Sequence, residues 1–230
     1  MSDLHAKQLE IWEAEHRSPS MLPFLDSEDP SPGVVEFWQR KLTGKPNLNG
    51  LEIGCGKGRN VRWLTAHGIT MTGLDFSPYA IEEAKRRSTE GAFILADACN
   101  PWPFSDESFD FVIDCWASAD IESQTGRENV RNEAHRVLRP AGLYFLQIDT
   151  PDTGLFQRLT QDLPGPEKNT ILLPNGKVEA LLSRSDIAAW NHPLKLTDVE
   201  FRQETTLKIF GYQEPYEYIW LVAEKPGRSN

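Results

Sequence analysis

Two short stretches carry the residue types that could do chemistry. LEIGCGKGRN, Leu51 to Asn60, ends an apolar run in Glu52 and then alternates three glycines, Gly54, Gly56 and Gly58, before a helix-like segment at Val61 to His67. Glycine at these positions lets the chain turn with unusual dihedrals and brings bare backbone against a bound molecule where a side chain would collide. The second stretch, TGLDFS, places Asp75 21 positions after Gly54 (75 − 54). An acid at the end of the strand after a glycine turn can accept both hydroxyls of a ribose, so the pair points to a cofactor containing adenosine. A dinucleotide fingerprint starting at Gly54 would place a small residue at position 59, where Arg59 stands, which argues against nicotinamide or flavin. No GKS or GKT follows the glycines, so a Walker phosphate loop is excluded.

The elements that must hold these residues alternate short apolar runs with helical segments from Leu48 to Val222. Strands are expected at Leu48 to Ile53, Thr70 to Leu74, Phe93 to Ala96, Phe109 to Asp114 and Leu143 to Ile148. A helix runs through Trp63 and Leu64, another starts after Ser77 as N-cap with Pro78 at its first position, and a third covers Arg127 to Leu138. That last helix stops at ArgProAlaGly, where Pro140 cannot continue it and Gly142 opens the fifth strand. Thr150 to Lys177 is rich in Pro, Gly and polar residues and reads as a loop, and Ser185 to Trp190 as a short helix. Two β-like runs at Val199 to Ile209 and Tyr216 to Ala223, with no helix between them, should pair antiparallel at one sheet edge. The fold class is therefore α/β, a Rossmann-like αβα sandwich whose mostly parallel seven-stranded sheet closes with a C-terminal antiparallel hairpin.

Residues 1–47 precede the glycine turn and are not needed by the sheet. They hold an expected helix (Leu4 to Glu15), a proline-broken stretch, and a second helix (Val34 to Leu42) with Ser31 and Pro32 as cap and first turn. They either cover the sheet or form a lid, for which Trp12, His16, Arg17, Phe24 and Trp38 are suitable enclosing side chains. Residues 48–230 are expected to form one globular unit.

Composition narrows the partners. With 39% hydrophobic and 25% charged residues in 230, one ordinary soluble core is expected. A formal net charge of −10 repels nucleic-acid backbones and anionic membranes, and the only basic run, Lys85 to Arg87, sits on an expected solvated helix face. No apolar run approaches the span of a bilayer and the N-terminus is too charged for a secretory signal, so the expected location is the cytosol. The three widely spaced cysteines support neither a disulfide framework nor a zinc site, and no metal is expected.

The chain resembles the class I S-adenosylmethionine-dependent methyltransferases. LEIGCGKG is similar to that family's first motif, LDFSPYAIEEAK to its second, ADACNPWPFSDESFDFVID to the next two, and VLRPAGLYFLQI to the segment leading into the fifth strand. The resemblance implies that Glu52, Gly54, Gly56 and Asn60 surround the amino-acid end of S-adenosylmethionine, that Asp75 binds its ribose with Phe76 beside the adenine, that Asp97 and the Ala98 backbone meet the adenine edge, and that Asp114 and Cys115 stand at the mouth of the fourth strand. Four acids at strand ends suit a sulfonium cation better than a pyrophosphate.

Methyl transfer is an in-line displacement, so alignment and exclusion of water dominate, and a general base is needed only for a protonated nucleophile. The acceptor is expected near Trp116, Asp149 and the Thr150 to Lys177 loop. DCWAS replaces the Asn/Asp-Pro-Pro-aromatic signature of nucleic-acid amine methyltransferases, which with the acidity points to a small-molecule acceptor. GRNVRWLTAHGITMTGLDFSPYAIEEA, PSPGVVEFW and PGPEKNT resemble the tellurite-resistance and thiopurine group, implying a soft sulfur or chalcogen acceptor. His16, His135 and His192 are candidate substrate contacts, His16 first, with His135 expected at the surface or in packing. Cys55 and Cys115 read as buried thiols. The expected protein is a monomer or homodimer. The alternatives are a noncatalytic protein that binds S-adenosylmethionine, and a methyltransferase acting on a macromolecule.

Overall fold

The computed structural model describes residues 2–19, 22–88 and 90–227, without the side chains of Pro23, Phe24 and Asn191. Phe24, one of the expected lid residues, thus lies outside the described side chains. In chain order the elements are α1 (Asp3–Arg17), α2 (Pro32–Phe37, continued by a wider π-type turn at Trp38–Leu42), β1 (Asn49–Ile53), α3 (Arg59–Ala66), β2 (Thr70–Asp75), α4 (Pro78–Arg87), β3 (Ala92–Leu95), β4 (Phe109–Cys115), α5 (Gln124–Val137), β5 (Leu138–Thr153), α6 (Gly154–Asp162), β6 (Thr170–Leu172), β7 (Val178–Ala180), α7 (Ile187–Asn191), β8 (Lys195–Glu204) and β9 (Tyr216–Glu224). None of the described helices is long and apolar enough to cross a membrane.

Seven strands form one sheet in the order β3-β2-β1-β4-β5-β9-β8. The first five are parallel, and β9 pairs antiparallel with both β5 and β8. Parallel strands covered on both faces need apolar residues at nearly every position, which is why FVI and LYFL are continuous rather than alternating. The two faces build two cores. Leu51, Val112, Tyr144 and Leu146 pack with Val130 and Ala134 of α5 on one side. Phe37, Val61, Leu64, Phe111, Phe145 and Trp220 fill the other.

Local signals set the helix starts. Ser77 Oγ accepts from Ala80 N (3.0 Å) and Ser123 Oγ from Gly126 N (3.2 Å), each satisfying an otherwise orphaned amide. Ser31 stands at the cap position of α2 but makes no cap bond; its hydroxyl instead faces Gln147 Oε1 (3.4 Å). Three further expectations are corrected. β5 begins at Leu138 rather than Leu143, because Leu138 already pairs with Phe109 before the register shifts across the turn that contains Ala141 at φ +64°. The expected Thr150 to Lys177 loop contains α6 and β6, the latter pairing with β7 just beyond it, since Leu155, Phe156 and Leu159 share one helix face that buries in a third small core with Ile171. The penultimate strand spans Lys195–Glu204, not Val199 to Ile209, as residues 205–212 turn away at an Ile209/Tyr212 bridge.

Phe37 ties the N-terminal segment to the sheet by stacking on Phe145 (4.8 Å between centroids) and meeting Phe111 edge-on (5.9 Å). Phe37→Ala is expected to destabilise the protein by about 3–5 kcal/mol, measured by urea unfolding, through the cavity it leaves.

Candidate functional site

The C-terminal ends of β1, β2, β4 and β5 open on a single cavity of about 460 Å³. At its floor the glycine turn holds three positive φ values: Gly54 +58°, Gly56 +51° and Gly58 +77°. A Cβ on Gly54 would stand 2.6 Å from Ala117 Cβ, and one on Gly56 would point at His16 Cε1 from 3.3 Å. Gly58, like Gly54, also serves packing, because a Cβ there would strike the Phe93 ring at 2.7 Å.

Glu52 lies beneath this turn, 2% exposed. Its Oε1 accepts from Asn60 Nδ2 (2.6 Å), while Oε2 is buried with no hydrogen-bond partner. Burial pushes its carboxyl up to about 7, against the opposing Asn60 hydrogen bond. Asn60 in turn accepts from Ser31 N (2.7 Å), so the glycine turn and the start of α2 are joined through one amide side chain. Asp75, at the end of β2, accepts from Gly56 N (2.8 Å) and Ser77 N (2.9 Å), which fixes the carboxylate beside the turn. Phe76, Ala98, Cys115 and Trp116 also line the cavity. Trp116 holds φ +65°, a conformation unfavourable for a bulky residue, and its ring meets Tyr218 at 5.6 Å.

Asp97 is joined to α1. Its Oδ2 lies 2.8 Å from His5 Nε2, and the other ring nitrogen is 3.0 Å from Glu122 Oε1, so one imidazole bridges two carboxylates. These two acids raise the His5 pKa against its burial. Farther along α1, Gln8 donates to Gly176 O (2.9 Å) and accepts from Val178 N (2.8 Å), while Trp12 and His16 face the cavity. Neither Trp12 Nε1 nor His16 Nδ1 has a partner.

Asp114 departs from its expected place. It is fully buried behind the cavity wall, accepting from Ser118 N (2.9 Å), the Ser118 hydroxyl and the Tyr144 hydroxyl, and so fastens the end of β4 to β5 and the following turn. Three protein donors hold its two oxygens, which sets it apart from the other acids of the site. His135 and His192 do not line the cavity. Burial raises the Cys55 thiol well above its ordinary range and that of Cys115 to about 12, so both remain protonated thiols rather than nucleophiles.

The cavity is also lined by Asp149, 5% exposed with Oδ1 unpartnered, and by Lys177, Asp120 and Glu179. The last three were not expected from the sequence. A signal existed for two of them: Asn175 and Gly176 between the apolar runs ILL and VEAL are a hairpin turn pair, with Gly176 at φ +89°. That turn delivers Lys177 and Glu179 inward.

Residues 51–146 match the family model described as a methyltransferase domain. The chain is 36% identical over 138 residues to the phthiotriol/phenolphthiotriol dimycocerosates methyltransferase of Mycobacterium leprae, covering 57% of this chain and 49% of that protein. It is 36% identical over 112 residues to the 27-O-demethylrifamycin SV methyltransferase of Amycolatopsis mediterranei, covering 44% of this chain and 40% of that one. The chain thus spans about half the length, or less, of these relatives. The structure of the 1,6-didemethyltoxoflavin-N1-methyltransferase of Burkholderia thailandensis, solved with 1,6-didemethyltoxoflavin and S-adenosylhomocysteine, shares the fold at a TM-score of 0.68, with 12% identity over 98% of this chain and 92% of that one.

The raised carboxyls have a consequence for stability. Above the ordinary carboxylate range the unfolded chain releases the Glu52 proton while the folded chain keeps it, so stability falls with rising pH until about 7. Urea unfolding of the protein without ligand is expected to give a lower free energy at about pH 8 than at about pH 5, and Glu52→Gln is expected to remove roughly 2–4 kcal/mol of that difference.

Proposed function

We propose that this chain is an S-adenosylmethionine-dependent methyltransferase acting on a small-molecule acceptor. The observation that carries the reading is Glu52 Oε2, a buried carboxylate oxygen without a partner under a cradle of side-chain-free backbone. Such an oxygen is costly unless a cation or donor meets it, and the cofactor's amino-acid end carries both. When bound, S-adenosylmethionine supplies a methyl group activated by a positively charged sulfur.

The chain's own residues divide the remaining work. Gly54 and Gly56 admit the ligand close to the backbone, and Asp75, already oriented by two amides, has lone pairs left for ribose hydroxyls. Phe76, Asp97 and Ala98 flank the adenine. Residues 1–47 act as the lid: α1 touches Asp97 at one end of the cavity and the β6–β7 turn at the other, so closing it excludes water from both ligands at once. An acceptor small enough to be enclosed fits this arrangement, and the two relatives named above carry the names of organic small-molecule or lipid substrates. The narrower expectation of a tellurite-resistance or thiopurine type finds no counterpart in those names. The protein is proposed to work in the cytosol, where Cys55, Cys99 and Cys115 stay reduced.

Calorimetric titration is expected to show binding of S-adenosylmethionine and not of NAD, with Asp75→Ala weakening it by about 1–3 kcal/mol. Binding of NAD alone would overturn the reading, and an unchanged affinity would remove Asp75 from the site. Hydrogen exchange along α1 is expected to slow when S-adenosylhomocysteine is added; equal exchange with and without it would refute the lid.

A further inference from the structure

The cavity lining also holds a charge arrangement outside the residues assigned above to the cofactor. Lys177 is 0% exposed, with its Nζ 2.9 Å from Asp120 Oδ1 and in contact with Glu179 Oε2. The same ammonium lies 4.8 Å from the Trp12 ring centre and 4.4 Å from that of Phe210. Asp149, on β5, faces this group and keeps Oδ1 buried without a donor. Two carboxylates thus hold the ammonium directly, and a third, Asp149, feels its charge while one of its own oxygens still lacks a donor.

Building on the methyltransferase reading, we propose that the acceptor presents a neutral hydroxyl group to Asp149, which acts as the general base, and that Lys177 is a positioning residue that tunes it. A bound hydroxyl supplies the hydrogen that Asp149 Oδ1 lacks. The other acceptor types fit less well. Lys177 already occupies the cation position between its acids and the two rings, so an ammonium acceptor meets a like charge, and a thiolate meets the surplus carboxylates. A neutral amine or a thiolate needs no base, whereas a hydroxyl must lose its proton as it attacks. In the step, an acceptor oxygen lone pair forms the bond to the methyl carbon and the O–H proton passes to Asp149 Oδ1. The electron pair of the broken carbon–sulfur bond stays on sulfur, so the carboxylate's negative charge and the sulfonium's positive charge vanish together. Solvent later takes the proton from Asp149.

Burial holds the Asp149 carboxyl up at about 7, with the Trp116 indole and Lys177 pulling it down and Asp120 pushing it up. Glu179 from the hairpin, His16 from α1, Tyr216 and Tyr218 from β9, and Glu204 from β8 are further titratable groups that line the cavity with it. Such a base is partly ionised near neutral pH, where removing a hydroxyl proton is most efficient.

The test uses the full chain and matched hydroxyl, amine, thiol and methoxy forms of two apolar frameworks, naphthalene and a dodecyl chain. Binding is measured by calorimetry in the presence of S-adenosylhomocysteine, and turnover by release of that product from S-adenosylmethionine. The hydroxyl forms are expected to bind about tenfold more tightly than the methoxy forms, a preference that Asp149→Leu abolishes. Turnover is expected with the hydroxyl forms and to fall roughly 100-fold or more in Asp149→Leu and in Asp149→Asn, which keeps shape and polarity, with cofactor affinity within about threefold. The pH profile is expected to move to higher pH in Lys177→Met and to lower pH in Asp120→Asn, shifts that a merely structural role would not produce. Turnover confined to amines or thiols, silence across the hydroxyl forms while the cofactor binds, or undiminished turnover in Asp149→Asn overturns the proposal. If the wild-type chain does not bind S-adenosylmethionine, it is the methyltransferase reading that fails instead.

Discussion

Carboxylates stripped of water are the constraint around which this site is organised. Glu52 and Asp149 line one cavity, each with an oxygen that no protein donor reaches. A folded chain tolerates such groups by raising their proton affinity, and both are pushed up to about 7. The cost is carried by the cores on either side of the sheet, whose continuous apolar strands leave the strand ends free to hold polar groups. Ligands that bring a positive charge or a hydrogen relieve the same cost on binding.

The acids are not all alike, and their partners separate their roles. Asp114 is as buried as Glu52, yet Ser118 and Tyr144 give both its oxygens donors, so it acts as a fastener between strands. Asp75 is held by two backbone amides that orient it without exhausting it. Lys177 joins Asp120 and Glu179 across elements that are distant in the chain and closes against Trp12 of α1. The N-terminal helix is thereby linked to both ends of the cavity, through His5 at Asp97 and through Gln8 at the hairpin turn. A segment that adds nothing to the sheet thus becomes a wall of the site.

Much of the architecture was legible because it depends on local rules. Gly54 and Gly56 need positive φ, Ser77 caps its helix, and the unbroken apolar runs can only be strands covered twice, so the parallel sheet, its closing hairpin and the glycine floor followed from spacing. The Thr150 to Lys177 segment was misread because its prolines and glycines obscured the single apolar face of α6 and the short β6–β7 pairing. Asp114, expected at the mouth of β4, is buried against Ser118 and Tyr144, because strand position fixes where a backbone ends, not which face its side chain takes or which hydroxyls meet it.

By itself the sequence determined the strands of the main sheet and the helices between its parallel members, the bare-backbone floor beneath Glu52, and the acid that follows on the neighbouring strand. These are set by dihedral preference and periodicity, which act over a few residues. Only the tertiary structure decided that Lys177, Asp120, Glu179 and Asp149 form one buried charge group, and that His5 bridges Asp97 and Glu122. Those pairings join residues far apart in the chain, and their energies depend on how much water the folded cavity excludes, a quantity no local pattern encodes.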